Sequence, residues 1–412
     1  MKIRALTGFL DPGWPLKPKP IADIAACLID CRDRLQDIGY QVQTLRLATP
    51  PPAEMTHPVP PDDRTELARN LEAECFVHGL DYAAIGPALP HEPDGYPIIP
   101  QMLAATENIF TSGIFADPVN GISLQAARAC AQAIHEVSTI ASDGFANLRF
   151  ASLANVKAGS PFFPAAYHDG GTPALAIATE SADIAVEALQ DAQSLISARR
   201  RLVLAIEDNA SALSQITEYI AAEHNVRFLG VDFSLAPFPE KARSIGTALE
   251  ALGVPSVGLS GTAAAASFLT DCLDRAQFPR TGFCGLFLPV LEDSVLAARA
   301  AQGQLTITHL LLYATLCGTG LDTIPLPGDA SPEALISLLI DLGTLALRHN
   351  KPLTARLMPI PGKKVGDEIH FDFPYFADSR VMNLPAEPLS GLLGGSGTLD
   401  INPHLADPSS SP

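Results

Sequence analysis

Acidic side chains recur where apolar runs of this chain end. Glu207 and Asp208 follow "LVLAI", Asp232 follows "FLGV", and Glu292 and Asp293 follow "LFLPVL". Groups at the carboxyl ends of strands can act together, because the loops there vary over a rigid sheet. Helix capping is a competing reason for an acid, and it suits Asp208 before "NASAL" and Asp293 before "SVLAARA". It does not suit Asp232, since Pro237 and Pro239 in "GVDFSLAPFP" postpone any helix. Asp232 is therefore a catalytic candidate, and Ser234 in the same stretch a substrate-binding one.

A second acidic group lies in "LLLYATLCGTGLDTIPLPGD". Thr306 can cap a helix running to Cys317, with Gly318 as its left-handed terminator, and Ser331, Pro332 and Glu333 open the next helix. That leaves Asp322 and Asp329 in a loop stiffened by Pro325 and Pro327. Asp322 is a second catalytic candidate, and together Asp232, Glu292, Asp322 and Asp329 make an oxygen-rich set suited to Mg²⁺ or Mn²⁺. Cys317 is a candidate nucleophile. A helix carboxyl end disfavours a thiolate, however, so packing is its first reading.

Proton transfer and anion binding have candidates of their own. Tyr167 and His168 close the proline-rich segment "NVKAGSPFFPAAYHDGG", and a histidine there can serve as acid, base or ligand near neutral pH. "LTARLMPIPGKKVGDE" supplies Arg356 on a strand, with Lys363 and Lys364 in a Pro-Gly turn, to meet a carboxylate or phosphate. Gly261 and Thr262 stand at a helix amino terminus, where free amides can hold an anion. No P-loop lysine follows them, and "CGTGLDT" lacks the third glycine of a dinucleotide fingerprint, so neither supports nucleotide binding.

These residues need a framework. "KIRALTGFL", "YQVQTLRLA", "DYAAIGPAL", "NLRFASLANV", "PALAIATE", "RLVLAIED", "NVRFLGVDFSL", "GFCGLFLPVLED" and "PLTARLMPI" read as strands separated by helical patterns. That alternation predicts an α/β fold with a mostly parallel sheet, as a barrel or a wide wound sheet. The reading is one domain over residues 1–400 and a disordered tail over 401–412.

With 27 basic against 45 acidic residues the chain carries −18, which excludes nucleic acid or an anionic membrane as the main partner. Only 17% of residues are charged, which predicts a large core and a subunit interface, read as a homodimer. The seven cysteines show no zinc-like pairing, and Cys27 and Cys31 read as two packed thiols of one helix. No secretory signal and no membrane-length apolar run is evident, so the expected location is the cytoplasm.

The stretches "NLRFASLANVKAGSPFFPAAYH", "GVDFSLAPFPEKARSIGTALEALG", "GTAAAASFLTDCLD", "GFCGLFLPVLEDSVLAARA", "YATLCGTGLDTIPLPGD" and "KPLTARLMPIPGKKVGDEIHFDFPYF" resemble the DUF711 (UPF0210) family. The resemblance implies a pyruvate formate-lyase-like α/β barrel of ten strands. It implies no glycyl radical, since "SRVMNLP" has no glycine where that motif requires one and "GLLGGSG" lacks the Arg-Val before it. It leaves activity open, because a fold does not supply a function. The leading expectation is an enzyme acting on a small organic acid or amino-acid-like carboxylate by lyase or hydrolase-type acid/base chemistry, with a divalent metal as an optional aid. The alternatives are a metabolite sensor that binds a carboxylate and signals through a dimer, and a thiol enzyme using Cys317.

Overall fold

The computed structural model describes residues 1–316 and 318–404. Cys317 and residues 405–412, most of the expected tail, lie outside the described residues. The strands are β1 (Lys2–Phe9), β2 (Leu45–Ala48), β3 (Tyr82–Ala84), β4 (Ile109–Asp117), β5 (Gly121–Ser123), β6 (Phe150–Ala154), β7 (Ala174–Glu180), β8 (Arg227–Asp232), β9 (Gly320–Pro327), β10 (Leu353–Ile360), β11 (Glu368–Ile369), β12 (Ser379–Arg380) and β13 (Thr398–Leu399). The helices are α1 (Pro18–Asp37), α2 (Arg64–Val77), α3 (Ile99–Ala104), α4 (Leu124–Ser138), α5 (Ala182–Gln190), α6 (Leu195–Glu223), α7 (Ile245–Ala251), α8 (Thr262–Arg275), α9 (Ser294–Ala301), α10 (Ile307–Ala314) and α11 (Pro332–Arg348).

One large mixed sheet runs β8-β7-β1-β2-β3-β4-β6-β10-β9. It is mostly parallel, with antiparallel pairing at β1–β7 and β6–β10. The edge strands β8 and β9 are not left bare. Segment 280–291 runs between them and makes isolated bridges from Arg280 to Val231, from Leu286 to Leu235 and from Pro289 to Asp322. This is the predicted strand "GFCGLFLPVLED", present as extended chain with bridges and no continuous ladder.

The two faces of the sheet differ in residue size. On one face Ile3 and Leu6 of β1 pack with Ile21, Ile24, Cys27, Leu28 and Leu35 of α1 in the main core. Burying each such aliphatic side chain contributes on the order of 2 kcal/mol. Gly8 allows the close approach, since a β-carbon there would meet Ile24 Cγ1 at 2.7 Å. The other face carries small residues (Ala48, Ala84, Ala174 and Ala176) against Phe110 and Phe163. The proline-rich segment supplies that aromatic cover, and Thr7 Oγ1 anchors it by donating to the Pro161 carbonyl at 2.9 Å.

Three expectations are corrected. "RLVLAIED" is no strand but part of the 29-residue α6, opened by a capping box at Ser194 and Ser197. The buried series Ala198, Leu202, Ile206, Ala210 and Leu213 keeps a helical period through it. Glu207 and Asp208 therefore lie mid-helix, and Asp208 caps nothing. Asp322, expected in a loop between helices, lies within β9. Pro325 and Pro327 are tolerated there because β9 is an edge strand, where a missing amide costs little. Thr306 does cap α10, but the helix stops at Ala314, ahead of the expected Cys317. Among the described residues no helix is long and apolar enough to cross a membrane.

Asp293 does cap, and it does so twice. Its buried carboxylate accepts from Val295 and Leu296 amides at the start of α9 and from Ile245 and Gly246 amides at the start of α7. Asp293→Ala strands these donors and is expected to cost about 3 kcal/mol, read as a lower urea midpoint at unchanged slope. A midpoint equal to wild type would show that neither helix depends on the cap.

Candidate active site

Backbone irregularities aim the charged groups. On β1 the register to β7 shifts between Ile3 and Ala5, making Arg4 the extra residue of a bulge. Between β9 and β10 the register shifts again, so that Asp322 and Thr323 together oppose Arg356. Thr323 has φ of +46°, unusual for a β-branched residue. Its Oγ1 accepts from the Leu291 amide at 3.2 Å, which fixes the neighbouring Glu292 beside β9. Bulges re-aim side chains in this way, and such strain gathers at functional sites.

The outcome is a buried chain of alternating charges. Arg356 Nε donates to Asp322 Oδ1 at 2.6 Å and its Nη2 to Glu292 Oε1 at 2.7 Å. Arg4 Nη2 donates to Glu292 Oε2 and to the Pro237 carbonyl, both at 3.0 Å. Beyond Arg4, Glu180 lies at 3.9 Å and is itself held by Arg243 at 2.9 Å. Burial raises both acids at the centre of the chain, but with opposite net results. For Asp322 burial outweighs the lowering by Arg356, and its pKa is raised. For Glu292 the two guanidiniums outweigh burial, and its pKa is lowered. Two adjacent carboxyls whose environments push them apart are the arrangement acid/base chemistry needs.

This chain forms one side of a cavity of about 420 Å³. Its walls include Tyr82, Phe110, Phe162, Phe163, Phe287 and Tyr375, and its polar groups include Arg4, Arg46, Glu292, Asp322 and Arg356. Arg46, on β2, is distinctive. Its Nε donates to Thr44 Oγ1 at 2.8 Å, while among the described residues its two terminal nitrogens make no hydrogen bond and no carboxylate lies in ion-pair range. It sits over the rings of Phe163 at 5.1 Å and Tyr82 at 5.7 Å. Burial and the nearby Arg4 charge push its pKa down to about 10, so it remains charged at neutral pH while lacking an anion.

Of the residues predicted from sequence, the structure brings Asp322, Glu292 and Arg356 together and places the rest elsewhere. Asp232 lies outside the cavity lining; its carboxylate accepts from Ser234 Oγ at 2.6 Å and from the amides of Phe283 and Cys284 at 2.7 and 2.8 Å. Ser234 completes that clip by accepting from the Gly285 amide at 3.1 Å. Asp232 and Ser234 thus pin the turn that presents Phe283 and Phe287 to the cavity. The Tyr167 hydroxyl donates to the Val156 carbonyl, and His168 is buried between Asp169 and the Gly171 carbonyl. Thr262 Oγ1 bonds the Leu259 carbonyl and Gly258 amide, closing the turn around Gly261 that starts α8. Lys363 lines a shallow surface hollow with Arg380, and Asp329 is exposed after β9.

Among the described residues no group of three or more His, Cys, Asp or Glu side chains is placed to hold a metal ion. The expected cation set of Asp232, Glu292, Asp322 and Asp329 is not assembled, and the two acids that meet are occupied by guanidiniums. Arg4, Arg46, Glu180 and Arg243 were missed by the sequence reading. The available signal was an arginine inside each of the apolar strands "KIRALTGF" and "LRLA".

A family model described as "Uncharacterised ACR (DUF711)" matches residues 15–378. The chain belongs to the DUF711 family. Similar DUF711 relatives named "UPF0210 protein" include one from Pyrobaculum islandicum, 32% identical over 80% of this chain and 76% of the relative. Another, from Pyrobaculum arsenaticum, is 33% identical over 88% and 81% of the two chains. A relative from Methanopyrus kandleri is 27% identical over 93% and 85%. The match at residues 15–378 covers every cavity-lining residue of this DUF711 chain named above except Arg4.

The Asp232 clip has a testable pH signature. Burial raises its pKa from 3.8 to about 6 against the lowering by its hydrogen bonds. The folded state therefore holds this proton more tightly than the unfolded chain. Its contribution to stability is full below 3.8, declines as pH rises towards about 6, and is constant above. The stability difference between wild type and Asp232→Asn, from denaturant melts at several pH values, should shrink across that window. A flat difference would show that Asp232 is not the titrating group.

Proposed function

We propose that this protein is an enzyme that acts on a small organic carboxylate by acid/base chemistry of the lyase or hydrolase type. The observation that carries the reading is Arg46: a guanidinium in the cavity wall whose terminal donors have no partner among the described residues. A planar fork of this kind matches a carboxylate in two parallel hydrogen bonds. Asp322, at 6% exposure and with its pKa raised, is the group that gives or takes a proton at a substrate atom. Arg356 and Glu292 hold Asp322 in place, and Arg356 also offers positive charge to an anion forming beside it.

The wider parts of the reading have their own support. The bridges of segment 280–291 to both edge strands favour a ten-membered ring of the pyruvate formate-lyase kind. The charged share of only 17% favours a subunit interface, read as a homodimer. The absence of a membrane-spanning helix among the described residues agrees with a cytoplasmic location.

The test starts with wild-type protein, Asp322→Asn and Arg46→Met against a carboxylate library. Turnover is followed by mass spectrometry and binding by thermal shift. Asp322→Asn should still bind but lose about 10²- to 10⁴-fold in kcat, together with one limb of the pH profile, the acidic limb where Asp322 takes the proton and the basic limb where it gives it. Arg46→Met should lose ligand-dependent stabilisation while keeping its unliganded melting temperature. Binding without turnover by wild type would leave a sensor. Unchanged kcat in Asp322→Asn would remove the acid/base assignment.

A further inference from the structure

Resting on the carboxylate reading above, we infer the substrate class: a monocarboxylate with an uncharged aromatic body, held by its carboxylate on Arg46 and by its ring between the phenylalanine walls.

The charge balance of the cavity selects a single anionic group. Arg4 and Arg356 are committed to Glu292 and Asp322. Arg149, towards Glu107 and Asn108, donates to the carbonyls of Leu103, Thr106 and Ile109 at 2.8, 2.8 and 3.4 Å. Among the described residues, that leaves Arg46 as the lining guanidinium with open terminal donors. A second carboxylate would have to displace Glu292 or Asp322 from a buried ion pair, which is costly. An α-ammonium beside a carboxylate on Arg46 fares no better, because it would stand near Arg4 with Glu292 already taken by two guanidiniums, while Glu107, the remaining lining acid, lies towards Arg149.

The walls select the body of the ligand. Phe110 and Phe163 meet at 5.3 Å between centroids, and Phe162 and Phe287 at 4.5 Å. Both pairs line the cavity, and the Arg46 guanidinium lies 5.1 Å from the Phe163 centroid. The anion site and the aromatic wall are therefore adjacent. A cavity of about 420 Å³ has the size of sites that take one small ligand and bury most of its surface. Aromatic rings favour offset or edge-on contact with a further ring, and an aliphatic acid of two or three carbons would leave most of this wall uncovered.

The experiment titrates the full chain by calorimetry and thermal shift with 3-phenylpropionate, acetate, succinate, glutamate, inorganic phosphate and 3-phenylpropanol. 3-Phenylpropionate should bind about tenfold or more tighter than any other member, since each lacks either the ring or the single carboxylate. Arg46→Lys keeps the charge but loses the fork, and it should weaken 3-phenylpropionate about tenfold while retaining the wild-type circular dichroism spectrum and melting temperature. Phe163→Leu should weaken 3-phenylpropionate and leave acetate unchanged. If succinate or glutamate binds as tightly as 3-phenylpropionate, the substrate class is wrong and the carboxylate reading stands. Phosphate or the alcohol binding best, or no member binding, overturns both. Binding of 3-phenylpropionate that Arg46→Lys and Phe163→Leu both leave unchanged lies elsewhere on the molecule and also overturns the inference.

Discussion

Arg356 lies between Asp322 and Glu292, and the rest of the cavity depends on that placement. The three residues are no more than 8% exposed. At such burial an unpaired charge is costly, so each group holds the others in position. Glu292 carries the constraint to Arg4 on β1, which stands far from β10 in the sheet order. Arg356 and Arg4, on strands well separated in the sheet order, are thereby joined through Glu292. Replacing any single partner would leave a buried charge uncompensated, and for that reason the chain of alternating charges behaves as one unit.

Local backbone strain makes this arrangement possible. A regular ladder would send alternate residues to opposite faces. At β1 the bulge lets Arg4 and Ala5 both turn from the helix-packed face, where Ile3 and Leu6 sit. At β9 the left-handed Thr323 lets Asp322 face Arg356 and lends a hydroxyl to the Leu291 amide. The fold departs from ideal pairing at the points where charge enters its interior. Between them, alanines on the sheet and phenylalanines from residues 162–163 and 287 keep the remaining space apolar, which strengthens every electrostatic contact inside it.

Support for this arrangement comes from outside the cavity. Asp232 and Ser234 hold three successive amides of the turn at residues 283–285, and that turn carries Phe283 and leads to Phe287. Asp293, next to Glu292, is fixed by caps on two helices. A conspicuous buried acid can thus serve position rather than chemistry, and its partners tell the two apart. Asp232 is surrounded by amides and a hydroxyl, whereas Asp322 meets a guanidinium at an open cavity.

Much of the architecture was legible in the order of the residues. Helical periods, the capping residues Thr306 and Ser331, the acid before α9, and the alternation of strands and helices are local signals, set by contacts a few residues apart. The family likeness rested on contiguous stretches, and it held. Local signals failed where length overrode them, as when "LVLAI" was absorbed into a 29-residue helix. Which acids meet was beyond them. Asp232, Asp322 and Asp329 looked alike as acids beside glycines and prolines, and tertiary structure separated them into a clip, a cavity group and a surface residue. That choice depends on bulges, register and pairings between residues as far apart as Arg4 and Glu292, and such contacts exist only once the strands have paired and the chain has folded over the sheet.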